Sequence, residues 1–220
     1  MLSVVIPVLN AAQSLPEAIG SVANGADEIV VADGGSSDGS IAAAERLGAR
    51  VVQAPRGRGR QLDAGAAAAS GDWLLFLHAD TRLGDGWAAA AEAFMQEGPR
   101  ATAAYFRLAF DEDAPVARRT ARIAAWRARR LGLPYGDQGF LIARSTFAVL
   151  GGFRGLPLME DVDLARRVGR KRLTALPAEA VTSAVRYRRS GWTARSLRNL
   201  FCLALYFAGV APERIKRIYG

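Results

Sequence analysis

The segment Trp73-Leu74-Leu75-Phe76-Leu77-His78-Ala79-Asp80-Thr81 decides the fold of this chain. Its continuous run of aromatic and branched residues predicts a strand buried on both faces, the kind found inside parallel sheets. His78 and Asp80 then stand at the carboxyl end of that strand, the edge at which open α/β sheets take their ligands. A carboxylate there is placed to hold a divalent cation against phosphate oxygens; the alternative is a polar turn that merely ends the strand.

The same rhythm of strand, turn and helix surrounds this segment. Val4-Val5-Ile6 predicts a strand ending at Pro7, followed by a helix over Ser14 to Val22. Glu28 to Ala32 and Arg50 to Gln53 predict two more strands, with helices over Ile41 to Leu47 and Leu62 to Ala69. Strands that alternate with helices of this length imply right-handed crossovers and a mostly parallel sheet. Beyond Asp80 the order becomes irregular. Helices are expected over Trp87 to Gln96 and Val116 to Leu131, and strands over Ala101 to Phe110 and Gly139 to Ala143.

Composition sets limits on this scheme. At 220 residues, 50% of them hydrophobic, the chain can bury a full core as one domain. A single cysteine, Cys202, excludes an intrachain disulfide framework and a cysteine-based zinc cage, and fits a reducing compartment. Leu2 to Val8 is too short for the core of a signal peptide, and no stretch reaches the roughly 18 apolar residues of a membrane span. The net charge of +8 suits anionic partners: nucleotides, phospholipid head groups or nucleic acid.

Two more apolar runs end in acids. Asp33 follows Ile29-Val30-Val31-Ala32 and precedes Gly34-Gly35-Ser36-Ser37-Asp38-Gly39. The glycines permit a tight turn, and the next helix offers free N–H groups to an anion. The Gly-x-Gly-x-x-Gly spacing of dinucleotide sites is missing. Asp38 reads as a helix cap, and Asp33 as either a ligand contact or part of the turn. The third site is Glu160-Asp161-Val162-Asp163, after Gly151-Gly152-Phe153. Leu164, Ala165 and Val168 place Asp161 on the buried side of a helix start, where a carboxylate needs a partner or a task. Acids in a first turn also complement the helix dipole, and Asp163 has an i,i+4 partner in Arg167, so Asp163 is expected to be dispensable.

Together, Val4-Val5-Ile6-Pro7-Val8-Leu9-Asn10, Val31-Ala32-Asp33-Gly34-Gly35-Ser36-Ser37-Asp38-Gly39, Gly71-Asp72-Trp73 through Asp80, and Gly151-Gly152-Phe153 before Glu160-Asp161 resemble, in order and spacing, the family 2 nucleotide-sugar glycosyltransferases. The resemblance covers roughly residues 2 to 170. It implies a GT-A fold, an α/β architecture with a mostly parallel central sheet flanked by helices and a helical C-terminal segment. It further implies inverting, metal-assisted transfer from a nucleotide diphosphate sugar, often a UDP-sugar, to an acceptor hydroxyl. Non-processive, single additions are expected because Arg186-Tyr187-Arg188-Arg189-Ser190-Gly191-Trp192 lacks the glutamine of the Gln-x-x-Arg-Trp element of processive synthases and the chain lacks their membrane spans. By position, Pro7 and Asn10 would line the nucleotide pocket and Asp33 would hold the base. Asp80 resembles the last acid of the family's Asp-x-Asp motif, with Mg2+ or Mn2+ as cofactor, and Asp161 resembles its general base. One domain over 1–220 is expected: a nucleotide-binding half 1–100, an acceptor-side half 101–185 and a helical segment 186–220.

The departures from that pattern are specific. The family usually has a second acid where Gly34 stands, an asparagine where Asp63 stands and an aspartate where His78 stands. Asp80 is then the sole clear protein ligand, helped by substrate phosphates and water. His78 is either a ligand favouring manganese or a support for one. The His-Ala-Asp-Thr and Asp-Gly-Gly-Ser elements resemble a small soluble subgroup labelled arsenosugar-biosynthesis glycosyltransferases.

The chemistry follows from general principles. A carboxylate must take the proton of the attacking alcohol, and cations must meet the charge on the departing diphosphate. Asp161 suits the first task. Asp80 suits the second, with Arg58 from the basic loop Arg56-Gly57-Arg58-Gly59-Arg60, a stretch that reads equally as plain surface. Gln138 and Glu160 are candidates on the acceptor side, for a small or lipid-linked acceptor.

The helix bearing Arg118, Arg119, Arg122, Arg127, Arg129 and Arg130 fits an ordinary solvated face, a membrane-surface patch or an anionic-acceptor site. A cytoplasmic place is expected, with peripheral contact at an anionic inner membrane face. The competing classes are a sugar-nucleotidyltransferase, which wants a glycine-rich basic loop after the first strand, and a basic nucleic-acid-binding module. The second wants aromatics interleaved with arginines, so no nucleic acid partner is expected.

Overall fold

The computed structural model describes residues 1–98 and 102–219 of the chain. Residues 99–101 and 220, and with them Ala101 at the start of an expected strand and the limits drawn at residues 100 and 220, lie outside the described residues.

Apolar residues on both sides of a pleat require a layer on each face, and the chain supplies both. Strand β1 (Leu2–Val8) directs Val4, Ile6 and Val8 toward helix α1 (Leu15–Val22), while Val5 packs with helix α3 (Arg58–Ala68). Strand β2 (Glu28–Asp33) pairs in parallel with β1, Ser3 opposite Glu28 through Val8 opposite Asp33. Helix α2 (Ser40–Arg46) then leads to strand β3 (Arg50–Gln53), parallel to β2. Strand β4 (Trp73–Phe76) is buried throughout and runs parallel to β1 on its other side. The strand expected from the Trp73 segment therefore lies inside a parallel sheet.

Among the described residues the sheet has eight strands in the order β3-β2-β1-β4-β7-β6-β8-β5. The added strands are β5 (Thr81–Leu83), β6 (Ala103–Phe110), β7 (Phe140–Ala143) and β8 (Leu173–Thr182). Antiparallel pairing joins β4 to β7, β7 to β6 and β8 to β5, whereas β6 and β8 are parallel. Because β7 runs against β4, the turn before Phe140 reaches the same sheet edge as His78 and Asp80. The carboxyl ends of β1, β2, β4, β6 and β8 share that edge.

Helices α4 (Trp87–Glu97), α5 (Pro115–Leu131), α6 (Arg144–Val149) and α7 (Glu160–Val168) complete the core, and α8 (Val185–Ser190), α9 (Trp192–Phe207) and α10 (Pro212–Tyr219) form the helical C-terminal segment. Leu133, Met159, Val162, Cys202, Leu203 and Ile215 make a separate apolar cluster that seats α9 and α10 against the start of α7. None of the helices among the described residues is long and apolar enough to cross a membrane.

Two elements differ from expectation. Helix α3 begins at Arg58, so Arg58 and Arg60 belong to its first turn and not to a loop. The apolar pattern starts only at Leu62, but Gln61 donates to the Val8 and Ala32 carbonyls at 2.7 and 3.0 Å and accepts from the Gly57 N–H, which anchors the earlier turn. Strand β8 was not anticipated. Its buried alternation of Leu176, Ala178, Ala180 and Thr182 is carried mostly by alanine, and Pro177 interrupts it. The pairing slips between Tyr105 and Arg107 at that point, the bulge at which a proline is tolerated.

A tight helix–sheet approach at Gly65 generates a prediction. A Cβ on Gly65 of α3 would collide with the Val5 side chain of β1. Gly65→Ala should therefore destabilise the protein by roughly 1–3 kcal/mol in urea denaturation, although alanine is the better helix former.

Candidate active site

A cleft opens at the sheet edge described above. Its walls are His78 and Asp80 after β4, Arg58 at the start of α3, the Tyr135–Asp137 turn before β7, Asp161 at the start of α7, and Arg186, Tyr187, Arg195, Asn199 and Tyr219 from the C-terminal helices.

The floor of the cleft is built around Gly136. Its N–H donates to Asp161 Oδ2 at 2.7 Å, and a Cβ at Gly136 would collide with His78 Nε2. Burial, helped by the positive charges of Arg58 and Arg186, holds the His78 imidazole well below its ordinary value, so His78 is neutral. Asp80 keeps a partly exposed carboxylate, 3.5 Å from Arg186 Nη2. Met159, just before Asp161, has φ 67°, a left-handed conformation uncommon outside glycine that aims the first turn of α7 at the cleft.

Around this floor the charges are paired. Glu160 is buried and accepts from Arg58 Nη1 at 3.1 Å. Burial pushes the Glu160 carboxyl up, and Arg58 opposes that shift. Arg127 lies 3.4 Å over the Tyr135 ring, and burial lifts the phenols of Tyr135 and Tyr187 to about 12. Burial raises the Asp137 carboxyl to about 6, with the charges of Asp161 and Asp80 adding to the shift against Arg127 and Arg58.

The residues expected from sequence separate into groups. Arg58, Asp80 and Asp161 meet in the cleft, although they come from three distant parts of the chain. Glu160 lies behind them, as the partner of Arg58. Gln138 is fully buried and serves the turn: it donates to the Phe106 carbonyl at 3.1 Å and accepts from the Tyr135 N–H and Arg127. Pro7, Asn10 and Asp33 stand at the carboxyl ends of β1 and β2, along the same sheet edge but outside the lining of this cleft. Asp33 is fully buried and accepts from the Gly35 and Ser36 N–H groups at 2.9 and 3.0 Å. Asn10, at φ 53°, accepts from the Ser37 N–H at 2.9 Å and donates its own N–H to Ser36 Oγ. Asp38 accepts from the first N–H of α2, at Ser40, and from Ala12, which gives it the capping role expected.

Each departure from the family pattern has a neighbour that accounts for it. Gly34 lies so close to Gln61 that a Cβ would sit 2.9 Å from its amide. Asp63 accepts from the Phe153 N–H at 3.1 Å and occupies the space beside Gly152, whose φ is 66°. His78 fills the space above Gly136.

The helix face assigned to the acids needs correction. Asp161 is half-exposed to the cleft, whereas Glu160 and Asp163 are the buried ones. Periodicity marks a single packed side, but α7 is covered by α3 on one flank and by the α9–α10 cluster on another. Asp163 is also more than an i,i+4 partner. It accepts from Arg167 Nε at 2.8 Å and Arg154 Nη1 at 3.2 Å, while Arg167 donates to the Leu150 and Gly152 carbonyls. This pair, with Asp63, clamps Gly151-Gly152-Phe153. Sequence reasoning missed Asp137, Tyr187, Arg195, Asn199 and Tyr219 as cleft residues. For Asp137 a signal existed, because a polar turn before an antiparallel neighbour of β4 must reach the edge that holds Asp80.

Residues 3–157 match glycosyl transferase family 2. The chain belongs to that family. A PGL/p-HBAD biosynthesis glycosyltransferase of Mycobacterium tuberculosis is 38% identical over 93 residues, 38% of this chain and 36% of that protein. An uncharacterized glycosyltransferase of Rickettsia felis is 37% identical over 83 residues, 37% of this chain and 29% of that one. The match thus spans about a third of the length of these curated relatives. Among solved structures, glucosyl-3-phosphoglycerate synthase from Mycobacterium tuberculosis in complex with Mn2+, uridine diphosphate and glucosyl-3-phosphoglycerate superposes with a TM-score of 0.56 at 22% identity, over 83% of this chain and 70% of that one. The same enzyme with Mn2+ and UDP-glucose gives 0.57 at 22% identity, over 83% and 69%. This likeness shows the fold, an α/β domain with its central sheet flanked by helices.

The clamp on the glycine loop yields a prediction opposite to the one drawn from sequence. Asp163→Asn leaves Arg167 partly buried without its carboxylate, and should cost about 3 kcal/mol in denaturant unfolding.

Proposed function

We propose that this chain transfers a sugar from a nucleotide diphosphate donor to an acceptor hydroxyl by a single inverting displacement. The observation that carries this reading is the placement of Asp80 and Asp161 in one cleft, the first after a buried parallel strand and the second at a helix start. Asp161 takes the proton of the attacking hydroxyl as the C–O bond to the anomeric carbon forms, and the diphosphate departs from the opposite face with the electrons of the broken bond. Its Oδ2 is held by the Gly136 N–H, which fixes the carboxylate. Oδ1 also accepts from the adjacent Val162 N–H, so proton transfer loosens that local bond.

The leaving group gains negative charge. Arg58 and Arg186 both line the cleft and are the cations nearest to that duty, each restrained by its acidic partner, Glu160 or Asp80. The donor set also suits a divalent cation. Asp80 offers a partly exposed carboxylate and His78 is neutral, so its ring is a competent ligand or support. Among the described residues no group of three or more His, Cys, Asp or Glu side chains could hold a metal. An ion would be held by Asp80 together with donor phosphates and water, the usual manner for Mg2+ and an accessible one for Mn2+. When bound, it supplies positive charge to the diphosphate. The solved neighbours that hold Mn2+ with UDP or UDP-glucose support a UDP-sugar and a divalent cation.

Pro7, Asn10 and Asp33 form the nucleoside side of this proposal. Asp33 acts through the turn that it closes, since its carboxylate is spent on backbone N–H groups. The C-terminal helices wall off the acceptor end of the cleft, which supports single additions.

A membrane contact is part of the same proposal. Ile123 and Trp126 are 60% and 55% exposed on α5, among exposed Arg118, Arg119, Arg122, Arg129 and Arg130. Helix α9, which packs near α5, exposes Leu197, Leu200 and Phe201. An apolar strip inside a basic field suits the surface of an anionic bilayer.

A thermal-shift screen of nucleotide sugars with and without Mn2+ identifies the donor. Asp80→Ala should abolish the metal-dependent shift, and Asp161→Asn should preserve it while lowering turnover by roughly 100-fold or more. Retained turnover in Asp161→Asn, or unchanged metal-dependent donor binding in Asp80→Ala, contradicts the assignment. For the membrane, the protein should sediment with anionic vesicles at low salt and leave them at high salt; no binding at low salt removes that contact.

A further inference from the structure

Among the described residues, two buried side-chain oxygens have no hydrogen-bond partner, Oδ1 of Asp137 and Oδ1 of Asn199. Both residues line the same cleft. A buried acceptor left unpaired costs about 1–3 kcal/mol, and native structures keep such groups where a ligand completes them. The two oxygens share a third residue. Asn199 Nδ2 donates to the Tyr187 hydroxyl at 3.3 Å, and the charge of Asp137 is felt at the same phenol. Tyr187 is itself fixed, stacked on Trp192 at 4.8 Å and edge-on to Phe110 at 5.0 Å. Asp137 directly follows Gly136, the residue whose N–H holds Asp161. Asp137 therefore adjoins the proposed base, and Asn199 lines the same cleft.

We propose that Asp137 and Asn199 form the acceptor subsite, which takes a neutral polyhydroxylated molecule by accepting from hydroxyls that neighbour the one activated at Asp161. This rests on the transfer reaction proposed above and assigns its substrate class. Both orphan atoms are acceptors, so the ligand must bring donors. The hydroxyls of a polyol or sugar do so. A fully ionised phosphate group brings no donor to the position it occupies and meets the carboxylates of Asp137 and Asp161. Arg195, the cleft cation without an acidic partner in an ion pair among the described residues, is already engaged. It donates to the Tyr219 hydroxyl at 2.5 Å and lies 4.4 Å from the centre of the Tyr219 ring, pinning α10 to α9.

The test uses the donor found in the screen and a panel of neutral polyols and hexoses, each beside its phosphate ester. Neutral members should be used with at least about tenfold higher kcat/KM than their esters, the discrimination expected when polar partners are matched or left unpaired. Asp137→Leu and Asn199→Leu, which keep shape and remove the acceptor oxygen, should each raise acceptor KM about tenfold. The donor Kd should stay unchanged and kcat nearly so. Asp137→Asn, which restores one carbonyl oxygen, should recover part of the loss, as a merely structural role would not require. Where a leucine variant fails to bind UDP with Mn2+, Asp137→Asn and Asn199→Asp supply the comparison. Unchanged acceptor KM in variants that still bind UDP, a preference for the phosphate esters, or no use of any neutral member overturns the subsite. A wild-type protein that binds no nucleotide sugar overturns the transfer reaction itself, and is recognised by the donor screen alone.

Discussion

The cleft depends on the crowding at Gly136, which touches His78 on one side and holds Asp161 on the other. Antiparallel pairing of β4 and β7 forces these groups together: Phe76 lies opposite Phe140, so whatever precedes β7 meets whatever follows β4. A side chain at Gly136 would push the imidazole or the turn away, and the carboxylate at the head of α7 would lose its backbone donor. The separation of the proposed base from Asp80 is thus set by sheet register, a constraint that backbone hydrogen bonds enforce cooperatively, and not by flexible loops.

A second layer of polar contacts keeps α7 where that register needs it. Asp163 with Arg167, and Asp63 with Phe153, hold the Gly151-Gly152-Phe153 loop from opposite sides, and Phe153 presses on Phe76 with ring centres 4.8 Å apart. The glycines are required because their φ values of 78° and 66° are closed to ordinary side chains at this cost. The motif that marks the family in sequence is therefore a brace. It joins β4, α3 and α7, the three elements that deliver His78 and Asp80, Arg58, and Asp161.

Much of this was legible in the sequence. The Trp73 segment, the Val4-Val5-Ile6 run and the Glu28 to Asp33 run announced a parallel sheet because hydrophobic continuity is a local property of each strand. Asp80 and Asp161 were legible as exceptions to it, acids where apolar runs stop. What periodicity could not supply was the number of faces each element buries. Helix α7 is packed on more than one flank, so Asp161, expected on the buried side, is half-exposed to the cleft, and Asp163 is buried. Strand β8 stayed hidden because alanine carries little of the β signal and Pro177 masks the rest. Gln138 carries the same lesson: its sequence neighbourhood reads as a polar turn, but its amide is consumed in folding that turn.

The two halves of the cleft differ in kind. The proposed donor half holds Asp80 after a strand end, and its acids and arginines are paired, Arg58 with Glu160 and Arg186 with Asp80. Such groups are finished before any ligand arrives and are suited to a donor whose charge can displace or join existing pairs. The proposed acceptor half comes from the turn before β7 and from α8 to α10, and there the unsatisfied oxygens of Asp137 and Asn199 remain. The matched family segment ends at residue 157, before the C-terminal helices begin. Arg58, Asp80 and Asp137 therefore come from the matched segment, and their counterparts across the cleft, Asp161, Arg186 and Asn199, come from the elements after it. The cleft is closed only where the two meet, so the helices that follow the common fold are placed to write acceptor choice into a shared donor site.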